Sequence, residues 1–349
     1  MTDPPTRTSR RRPTLADVAA IAGVDSSLVS RVLRDDPRGF ASAETRDRIV
    51  RAAQEVGYRA NAAARGLRNA RTMTLGLLLP GFSSPVYSSI AHGVEERANE
   101  RGYGIVLGTH AAGDPHETVS GMLMHGRVDG LLVASGRIED RELRRLVDRV
   151  PQSVVVVNRQ VRGVAASVVL QDADAAVLAV RHLVQLGHRR ICGVFGPSTL
   201  DTMVRRRRGF GEECRRLGVE ASTVEMAGRD HRAGFEGARR ALDRTPAPTA
   251  VIAGTFPMAV GMLAGMHTAG VAVPGEMSVL SLHNDALADY LLPRLSAVGL
   301  PTERLGAEAV DLVLDLIDGG RPRRVVVPEP PRLVVRDSTS AVPAGQDRL

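Results

Sequence analysis

The chain has 349 residues, enough for two or three domains, and its hydrophobic content of 43% excludes a disordered protein. It contains no run of about 18 apolar residues, and its polar N-terminus lacks the apolar stretch of a secretory signal. Its formal net charge is +7 with histidine neutral, and it contains arginine but no lysine. These features predict a cytoplasmic protein with no membrane span.

The positive charge is concentrated at the N-terminal end of the chain. Residues 1–71 carry 14 arginines against 8 acidic side chains, a net charge of +6, which leaves about +1 for the remaining residues. This distribution is typical of a module that binds phosphate groups. Residues 1–12 predict a disordered basic arm, whose arginines either contact phosphates loosely or are solvated.

The segment 14–33 predicts two short helices joined by a tight turn. Thr14 and Asp25 are typical N-cap residues, and Gly23 permits the left-handed backbone that ends the first helix. Apolar side chains recur at helical spacing in both halves, at Leu15, Val18, Ala19, Ala22, Leu28, Val29, Val32 and Leu33. This layout is typical of a helix-turn-helix, in which polar side chains of the second helix face the major groove of DNA. Those side chains are Ser26, Ser27, Ser30 and Arg31.

A third helix follows, with Ser42 as its N-cap and Gly57 at its end. Residues 13–59 therefore predict a three-helix domain of about 45 residues, close to the lower limit of independent stability. Residues 60–71 are rich in alanine but also contain Gly66, so an isolated helix of this length is marginal in water. We interpret them as a hinge that becomes ordered only when another molecule holds it.

From residue 72 onwards, near-continuous apolar strands alternate with amphipathic helices. This alternation predicts an α/β core of parallel sheets with helices on both faces. The alternation restarts after about residue 170, which predicts two subdomains with a cleft between them. Because open parallel sheets bind ligands beyond the carboxyl ends of their strands, we expect a ligand site at the strand ends that face this cleft.

Taken in order, the helix-turn-helix segment, the hinge and the α/β core resemble the LacI family of bacterial transcription regulators over about residues 13–340. The resemblance is carried by TLADVAAIAGVDSSLVSRVL, ETRDRIVRAAQEVGYRANAAARGLR, HLVQLGHRRI, PMAVGMLAGMHTAGVAVPGEMSV and RLVVRDSTS. It implies a homodimer that binds double-stranded DNA at a palindromic operator, a hinge helix at 60–71, and a core at 72–340 like that of type I periplasmic sugar-binding proteins. It further implies an N-subdomain of 72–170 and 301–336, a C-subdomain of 171–300 and a tail of 341–349.

The resemblance also implies which residues contact DNA. Leu67 matches the family's leucine that wedges into a minor-groove step and kinks the duplex; the alternative is a linker leucine that packs against its dimer mate. Asp25 would repel phosphate, and the neighbouring serines are short for base readout. We therefore expect sparse direct readout that depends on Arg31 and on the Leu67 kink. The matched positions are Thr14, Asp25, Ser26, Ser27, Ser30, Arg31, Arg38, Asn61, Ala64 and Leu67.

The residues at the positions that match the family's effector cleft differ from those expected of a sugar-binding site. They are Tyr87, Asn158, Arg206, Thr255, Phe256 and His283. Thr255 and Phe256 replace an Asn-Asp pair, and His283 stands where an acid is usual, whereas a sugar site needs carboxylates and amides that share hydrogen bonds with several hydroxyls. The family implies a small-molecule effector such as a sugar. These departures instead favour an effector that is less polyhydroxylated or anionic, or no small effector.

Other classes of protein fit the sequence less well. No lysine is available for a Walker A motif, and no GxSxG, HExxH or CxxC motif occurs. We therefore expect no catalytic residue, cofactor or metal site, and free thiols at Cys192 and Cys214. A periplasmic binding protein would lack the segment 14–33. We predict a repressor whose operator binding a small molecule modulates; a ligand-blind repressor and an architectural DNA-binding protein remain as alternatives.

Overall fold

The computed structural model describes residues 13–33, 41–58, 71–81, 84–109, 127–134, 139–149 and 154–342. The chain divides into two compact units, Met1–Thr72 and Met73–Leu349. Several positions predicted from the sequence lie outside the described residues: Arg38, Asn61, Ala64 and Leu67, together with the arm at 1–12, nearly all of the hinge and most of the tail.

The first unit contains three helices, α1 Leu15–Ala22, α2 Ser26–Val32 and α3 Ala43–Glu55. The predicted start and end of α1 are confirmed. The Thr14 hydroxyl accepts from the backbone N–H of Asp17, and the Thr14 N–H donates to the Asp17 carboxylate at 2.7 Å. Gly23 ends α1 with φ 62°, in the left-handed region that glycine adopts without steric cost.

The second and third helices also begin at their predicted caps. The side chains of Asp25 and Ser42 each accept a hydrogen bond from a backbone N–H in the first turn. The guanidinium of Arg48, in α3, donates to the carbonyl of Ala22 at 2.9 Å, where the last carbonyls of α1 have no partner within the helix. Apolar packing completes the unit, through Val18, Ala19, Ala22, Val29, Val32, Ile49, Ala52 and Ala53.

The second unit begins with a subdomain built on a six-stranded parallel sheet. Its strands are β1 Thr74–Leu79, β2 Gly104–Thr109, β3 Gly130–Val133, β4 Val154–Val157, β5 Ser167–Val169 and β11 Arg324–Val326. They lie in the order β11-β5-β4-β3-β1-β2. Its helices are α4 Pro85–Glu100, α5 Asp140–Arg149 and α10 Thr302–Ile317. Strands β3 and β4 are buried throughout, as expected of parallel strands covered on both faces.

The other subdomain contains a second six-stranded sheet. Its strands are β6 Arg190–Phe195, β7 Glu220–Glu225, β8 Ala250–Ala253, β9 Ser278–Leu282, β10 Ser296–Gly299 and β12 Arg332–Val334. They lie in the order β12-β10-β9-β8-β6-β7, and all neighbours are parallel except β12 and β10. The helices are α6 Asp172–Gln185, α7 Asp201–Leu217, α8 His231–Leu242, α9 Phe256–Thr268 and a short 3-10 helix Ala286–Tyr290. The predicted fold class, three N-terminal helices followed by two mostly parallel α/β subdomains, is confirmed.

The chain passes between the two sheets after β5, after β10 and again after β11. The expectation that 301–336 belongs entirely to the first subdomain is wrong for its last residues. Strand β12 pairs antiparallel with β10, with Ala297 opposite Val334, and so extends the second sheet. The Ser338 hydroxyl then donates to the carbonyl of Val279 at 2.6 Å, which holds the segment after β12 on the same subdomain.

Helices α8 and α9 approach each other closely because glycines occupy their crossing point. A Cβ atom on Gly261 would lie 1.8 Å from the carbonyl oxygen of His231, and one on Gly234 would lie 1.9 Å from that of Met258. Both distances are far shorter than a van der Waals contact, so the backbones would have to move apart to accept even an alanine. Gly211, in the middle of α7, has open space instead, since its nearest neighbour is the Arg215 side chain at 3.6 Å.

The same substitution is therefore expected to have opposite effects at two helical glycines. Gly261→Ala should lower the free energy of unfolding by about 2 kcal/mol or more, because it overpacks the α8–α9 crossing. Gly211→Ala should raise it by about 0.5 kcal/mol, because alanine restricts the unfolded chain and favours the helix. Urea unfolding followed by circular dichroism measures both effects. Equal stabilities for the two variants would contradict the close packing.

Candidate functional site

A cavity of about 370 Å³ lies between the two subdomains of the second unit. Residues that follow strand ends line it from both sides, among them Pro80 after β1, Asn158 after β4, Pro197 after β6, Ala227 after β7 and His283 after β9. The first residues of α4, α7, α8 and α9 complete its wall. The carboxyl ends of both sheets thus meet at this cleft, where the strand pattern predicted a ligand site.

Five of the six predicted effector residues line the cavity: Tyr87, Asn158, Arg206, Thr255 and His283. The expectation that Phe256 faces the cleft is wrong, because its ring is buried in the apolar core of the second subdomain. The hydroxyl of Thr255 accepts from the N–H of Met258 at 3.2 Å and donates to the Arg229 carbonyl at 2.9 Å. Thr255 thereby starts α9, and the residue after it packs inward.

The guanidinium of Arg206, in α7, lies at the cavity wall with only 2% of the residue exposed. Its Nε and Nη2 atoms lie 2.8 and 2.7 Å from Oδ1 of Asp172, which is fully buried. Nη1 donates to the carbonyl of Gly254. Burial lowers the pKa of Arg206, and the charge of Asp172 opposes that shift. Arginine ordinarily titrates above pH 12, so the side chain stays cationic and is neutralised within the protein.

His283 is held in one protonation state by this arginine. Nη2 of Arg206 lies 2.6 Å from Nε2 of His283, and arginine has no acceptor, so Nε2 accepts and the ring proton sits on Nδ1. Burial, and then the charge of Arg206, lower the pKa of His283 well below 6.5. Its φ of 137° is rare for a residue other than glycine, and the Ser281 hydroxyl donates to its carbonyl at 2.8 Å. The Nδ1–H group has no partner among the described residues.

Asn158 presents a second polar atom that the protein does not satisfy. It follows β4 with φ 61°, a left-handed conformation that asparagine tolerates better than most residues. Its Oδ1 atom is buried and has no hydrogen-bond partner in the part of the chain that the structure describes. Because buried polar atoms are nearly always hydrogen-bonded, this atom marks the cleft as a place where a ligand or water completes the structure.

Arg229, which was not among the residues predicted from the sequence, lines the same cavity. Its guanidinium carbon lies 5.4 Å from the centre of the Tyr87 ring, a cation–π contact that connects the second subdomain to α4 of the first. Arg229 precedes Asp230, whose carboxylate caps α8 by accepting from the N–H of Ala233 at 2.9 Å. The signal that could have revealed Arg229 is its place between the end of a parallel strand and a helix N-cap.

In the first unit, α2 exposes the side chains predicted to meet DNA. Asp25, Ser26, Ser27 and Arg31 are exposed, and Ser30 is half-buried. Hydrogen bonds from Ser27 lower the pKa of Asp25, so this carboxylate is bound to the start of its own helix. Nη2 of Arg31 lies 3.4 Å from the Ser27 hydroxyl, and Arg31 thus supplies a cation to the exposed face of α2. Thr14 stands at the start of α1, where Asp17 engages its hydroxyl.

Within the described ranges, no group of three or more His, Cys, Asp or Glu side chains is arranged to hold a metal ion. No helix of those ranges is long and apolar enough to cross a membrane. Cys192 and Cys214 are buried free thiols. Burial raises the pKa of both, to about 12 for Cys214, which keeps the thiols protonated and unreactive.

Comparison with known proteins identifies the family. The model for bacterial regulatory proteins of the lacI family matches residues 14–61, and the model for periplasmic binding protein-like domains matches 180–339. The HTH-type transcriptional regulator CelR of Thermobifida fusca is 33% identical over 339 residues, which are 94% of this chain and 99% of CelR. The chain belongs to the LacI family.

A second relative and a solved structure also match nearly the whole of this LacI-family chain. The HTH-type transcriptional repressor PurR of Erwinia tasmaniensis is 31% identical over 335 residues, which cover 95% of this chain and 98% of PurR. The solved structure of a transcriptional regulator CelR–cellobiose complex has a TM-score of 0.70 and 31% identity, and it covers 94% of this chain and 100% of that one. The chain is a helix-turn-helix transcriptional regulator, and these relatives are named as regulators rather than enzymes.

The buried imidazole of His283 predicts a loss of stability in mild acid. Its folded pKa lies well below 6.5, so below that pH the unfolded chain binds a proton that the folded chain does not. The free energy of unfolding should therefore be fully retained above about pH 7 and should fall by about 1.4 kcal/mol per pH unit below 6.5, until the folded pKa is reached.

His182, which burial also shifts to a lower pKa, adds to the same loss. His283→Asn should reduce the slope between pH 6.5 and 5.5, measured by urea unfolding, because asparagine can accept from Arg206 without titrating. His267→Asn, at an exposed position of α9, serves as the control and should leave the slope unchanged. An unaltered slope for His283→Asn would rule out a role for this imidazole.

Proposed function

We propose that this LacI-family regulator is a cytoplasmic, homodimeric repressor whose affinity for operator DNA changes when a small molecule binds in the cleft. The observation that carries the proposal is the cavity of about 370 Å³ between two subdomains, in a chain that also carries a helix-turn-helix. Pockets of this volume hold small organic ligands. The unsatisfied polar atoms of Asn158 and His283 give such a ligand specific partners.

The proposed ligand site consists of Tyr87, Asn158, Arg206, Thr255 and His283, without Phe256. The cellobiose in the solved CelR complex supports a ligand site in this type of core. Because the cavity has walls from both subdomains, a bound ligand would favour one arrangement of them over another. We assign the transmission of that change to the hinge at 60–71, between a DNA-binding domain at 13–59 and a core at 72–340.

We assign DNA binding to α2 and the hinge. Arg31 is the side chain on α2 best suited to contact base edges, since a guanidinium makes paired hydrogen bonds to guanine. The capped Asp25 positions the helix start rather than reading bases. The apolar Leu67 is assigned to a minor-groove wedge. The other proposed contacts are Thr14, Ser26, Ser27, Ser30, Arg38, Asn61 and Ala64.

An exposed apolar patch supports the homodimer. Leu287, Tyr290 and Leu292 lie in or beside the short 3-10 helix, and Tyr290 is 81% exposed and Leu292 94%. Arg336 fixes this segment through Asp289, at 2.6 Å from Nε, and through the carbonyl of Leu295 at 2.9 Å. An ordered apolar patch in water is typical of an interaction site. We assign it to a second copy of the chain.

The repressor function is tested by selecting DNA from a random pool with the full chain and then measuring affinity for the selected site by fluorescence anisotropy. We expect a two-fold symmetric site, and an affinity that changes tenfold or more when the small-molecule fraction of a cell extract is added. Arg31→Ala should weaken binding about tenfold or more, because each lost paired contact costs about 1–3 kcal/mol.

Arg31→Lys is the matched variant for this test. It keeps the charge that attracts phosphate but loses the paired geometry, so it should reduce discrimination against altered sites more than overall affinity. No enrichment of any site would contradict sequence-specific repression. Affinity that no extract fraction alters would indicate a ligand-blind repressor.

The apolar patch gives a separate prediction about assembly. The double variant Tyr290→Asp, Leu292→Asp should shift the mass measured by light scattering from two chains to one, because each charge would have to be buried in the interface. Operator affinity should fall with it, since each monomer reads a single half-site. Val204→Asp, at an exposed position of α7, is the control and should remain dimeric. A dimeric double variant would place the interface elsewhere.

A further inference from the structure

The cleft offers more hydrogen-bond donors than acceptors. Arg206 makes three hydrogen bonds to protein acceptors, one each to Asp172, Gly254 and His283, and its Nη2 also lies 2.7 Å from the Asp172 carboxylate. The imidazole of His283 adds its Nδ1–H, which has no partner among the described residues although the residue is only 3% exposed. The buried floor of the cavity therefore presents N–H groups rather than carboxylates.

Arg229 adds a cation whose charge no carboxylate among the described residues neutralises. In the described part of the chain its guanidinium makes no hydrogen bond or ion pair, and its side-chain contact is the face of Tyr87. It is close enough to Arg206 for the two charges to repel, because the charge of Arg229 is one of the causes that lower the pKa of Arg206. A half-buried guanidinium with five free N–H groups fits a carboxylate or a phosphate in paired geometry.

The helices around the cleft reinforce this positive field. The first residues of α4, α7, α8 and α9 line the cavity, and a helix N-terminus carries a partial positive charge with unpaired N–H groups. Two of these helices, α4 and α7, begin at Ser84 and Leu200 without a side-chain cap. The N–H groups in their first turns have no side-chain acceptor at the cap position, although α4 begins with Pro85, which has no N–H, and α7 carries Asp201 in its first turn.

The carboxylates near the cleft are largely occupied by the protein. Asp172 is fully buried against Arg205 and Arg206. Asp201 accepts from the Gln160 N–H at 2.9 Å and from Arg205 at 3.0 Å. Asp230 also lines the cavity, is exposed, and uses one oxygen to cap α8, which leaves its other oxygen as an acceptor. A neutral polyol, which donates many hydrogen bonds, would find the buried Oδ1 of Asn158 but few other free acceptors.

We propose that the ligand of this cleft is a small organic anion, whose carboxylate or phosphate group is bound by Arg229 and by the Nδ1–H of His283. The inference rests on the proposed function only in placing the ligand in the cleft. Asn158 would accept a hydrogen bond from a hydroxyl or amide elsewhere on the same molecule. Arg229 would exchange its contact with the Tyr87 ring for a charge-assisted pair, which is the stronger interaction.

The test measures the melting temperature of the full chain with ligand pairs that differ in charge, at constant ionic strength in a buffer free of phosphate. The carboxylate pairs are gluconate with glucose, galacturonate with galactose, and 4-hydroxybenzoate with 4-hydroxybenzyl alcohol. The phosphate pairs are glucose 6-phosphate with glucose and ribose 5-phosphate with ribose. We expect the anion of at least one pair to raise the melting temperature by 2 °C or more at millimolar concentration, and its neutral twin to have no effect.

Variants of Arg229 show whether the stabilisation arises at this site. Arg229→Gln should abolish the shift, and Arg229→Lys should retain part of it, because lysine keeps the charge but not the paired geometry. Arg232→Gln is the matched control and should retain the full shift, because Arg232 lies three residues later, in the first turn of α8, and pairs with Glu236. The melting temperature of each variant without ligand shows that it folds.

Three results would overturn the inference: a neutral twin that stabilises as much as its anion, a panel in which no anion stabilises, or a full shift in Arg229→Gln. Operator affinity, measured on the same samples, separates this inference from the proposed function. If an anion binds and operator affinity does not change, the ligand class stands and effector control fails. If a neutral sugar binds and changes operator affinity, effector control stands and the ligand class fails.

Discussion

The cleft depends on one buried ion pair, that of Arg206 with Asp172. Two charges removed from water are costly, and their mutual attraction offsets the cost only when the remaining polar groups are also satisfied. The carbonyl of Gly254, after β8, and the imidazole of His283, after β9, supply those partners for Arg206. One guanidinium thus fixes the ends of two neighbouring strands and the start of α6, and removing one member of the pair would leave the other charged and buried, at a cost of about 3–5 kcal/mol.

This arrangement determines what the cleft can recognise. Arg206 stands at the position that resembles the family's ligand-binding arginine. Because Asp172 neutralises its charge, Arg206 serves mainly as part of the cavity wall. Its hydrogen bond to His283 keeps the imidazole neutral and turns the ring's donor away from the ion pair. The charge left for a ligand then belongs to Arg229, which enters from a different loop and contacts the opposite subdomain through Tyr87.

Local signals in the sequence predicted local structure well. Thr14, Gly23 and Asp25 bound their helices as expected, because a cap depends on the few residues beside it. The direction of Phe256 could not be predicted in this way, because it depends on how strands far apart in sequence are brought together. Arg229 has a local signal in its place between a strand end and a helix cap, but its contact with the ring of Tyr87 depends on the same long-range assembly. The pairing of β12 with the second sheet was not predicted for the same reason. The sequence of a strand of only three residues does not indicate which sheet edge it will join.

The path of the chain also sets the order in which the protein can be completed during translation. Strands β1–β5 leave the ribosome early. The elements that complete their subdomain follow only after β10: α10 packs against β3 and β4, and β11 pairs with β5. The second sheet in turn waits for β12. Both subdomains are therefore finished almost together, after residue 334 has been synthesised. A nascent chain that stops before residue 334 therefore leaves the edge of β10 without its partner, even though every residue that lines the cleft has already been made.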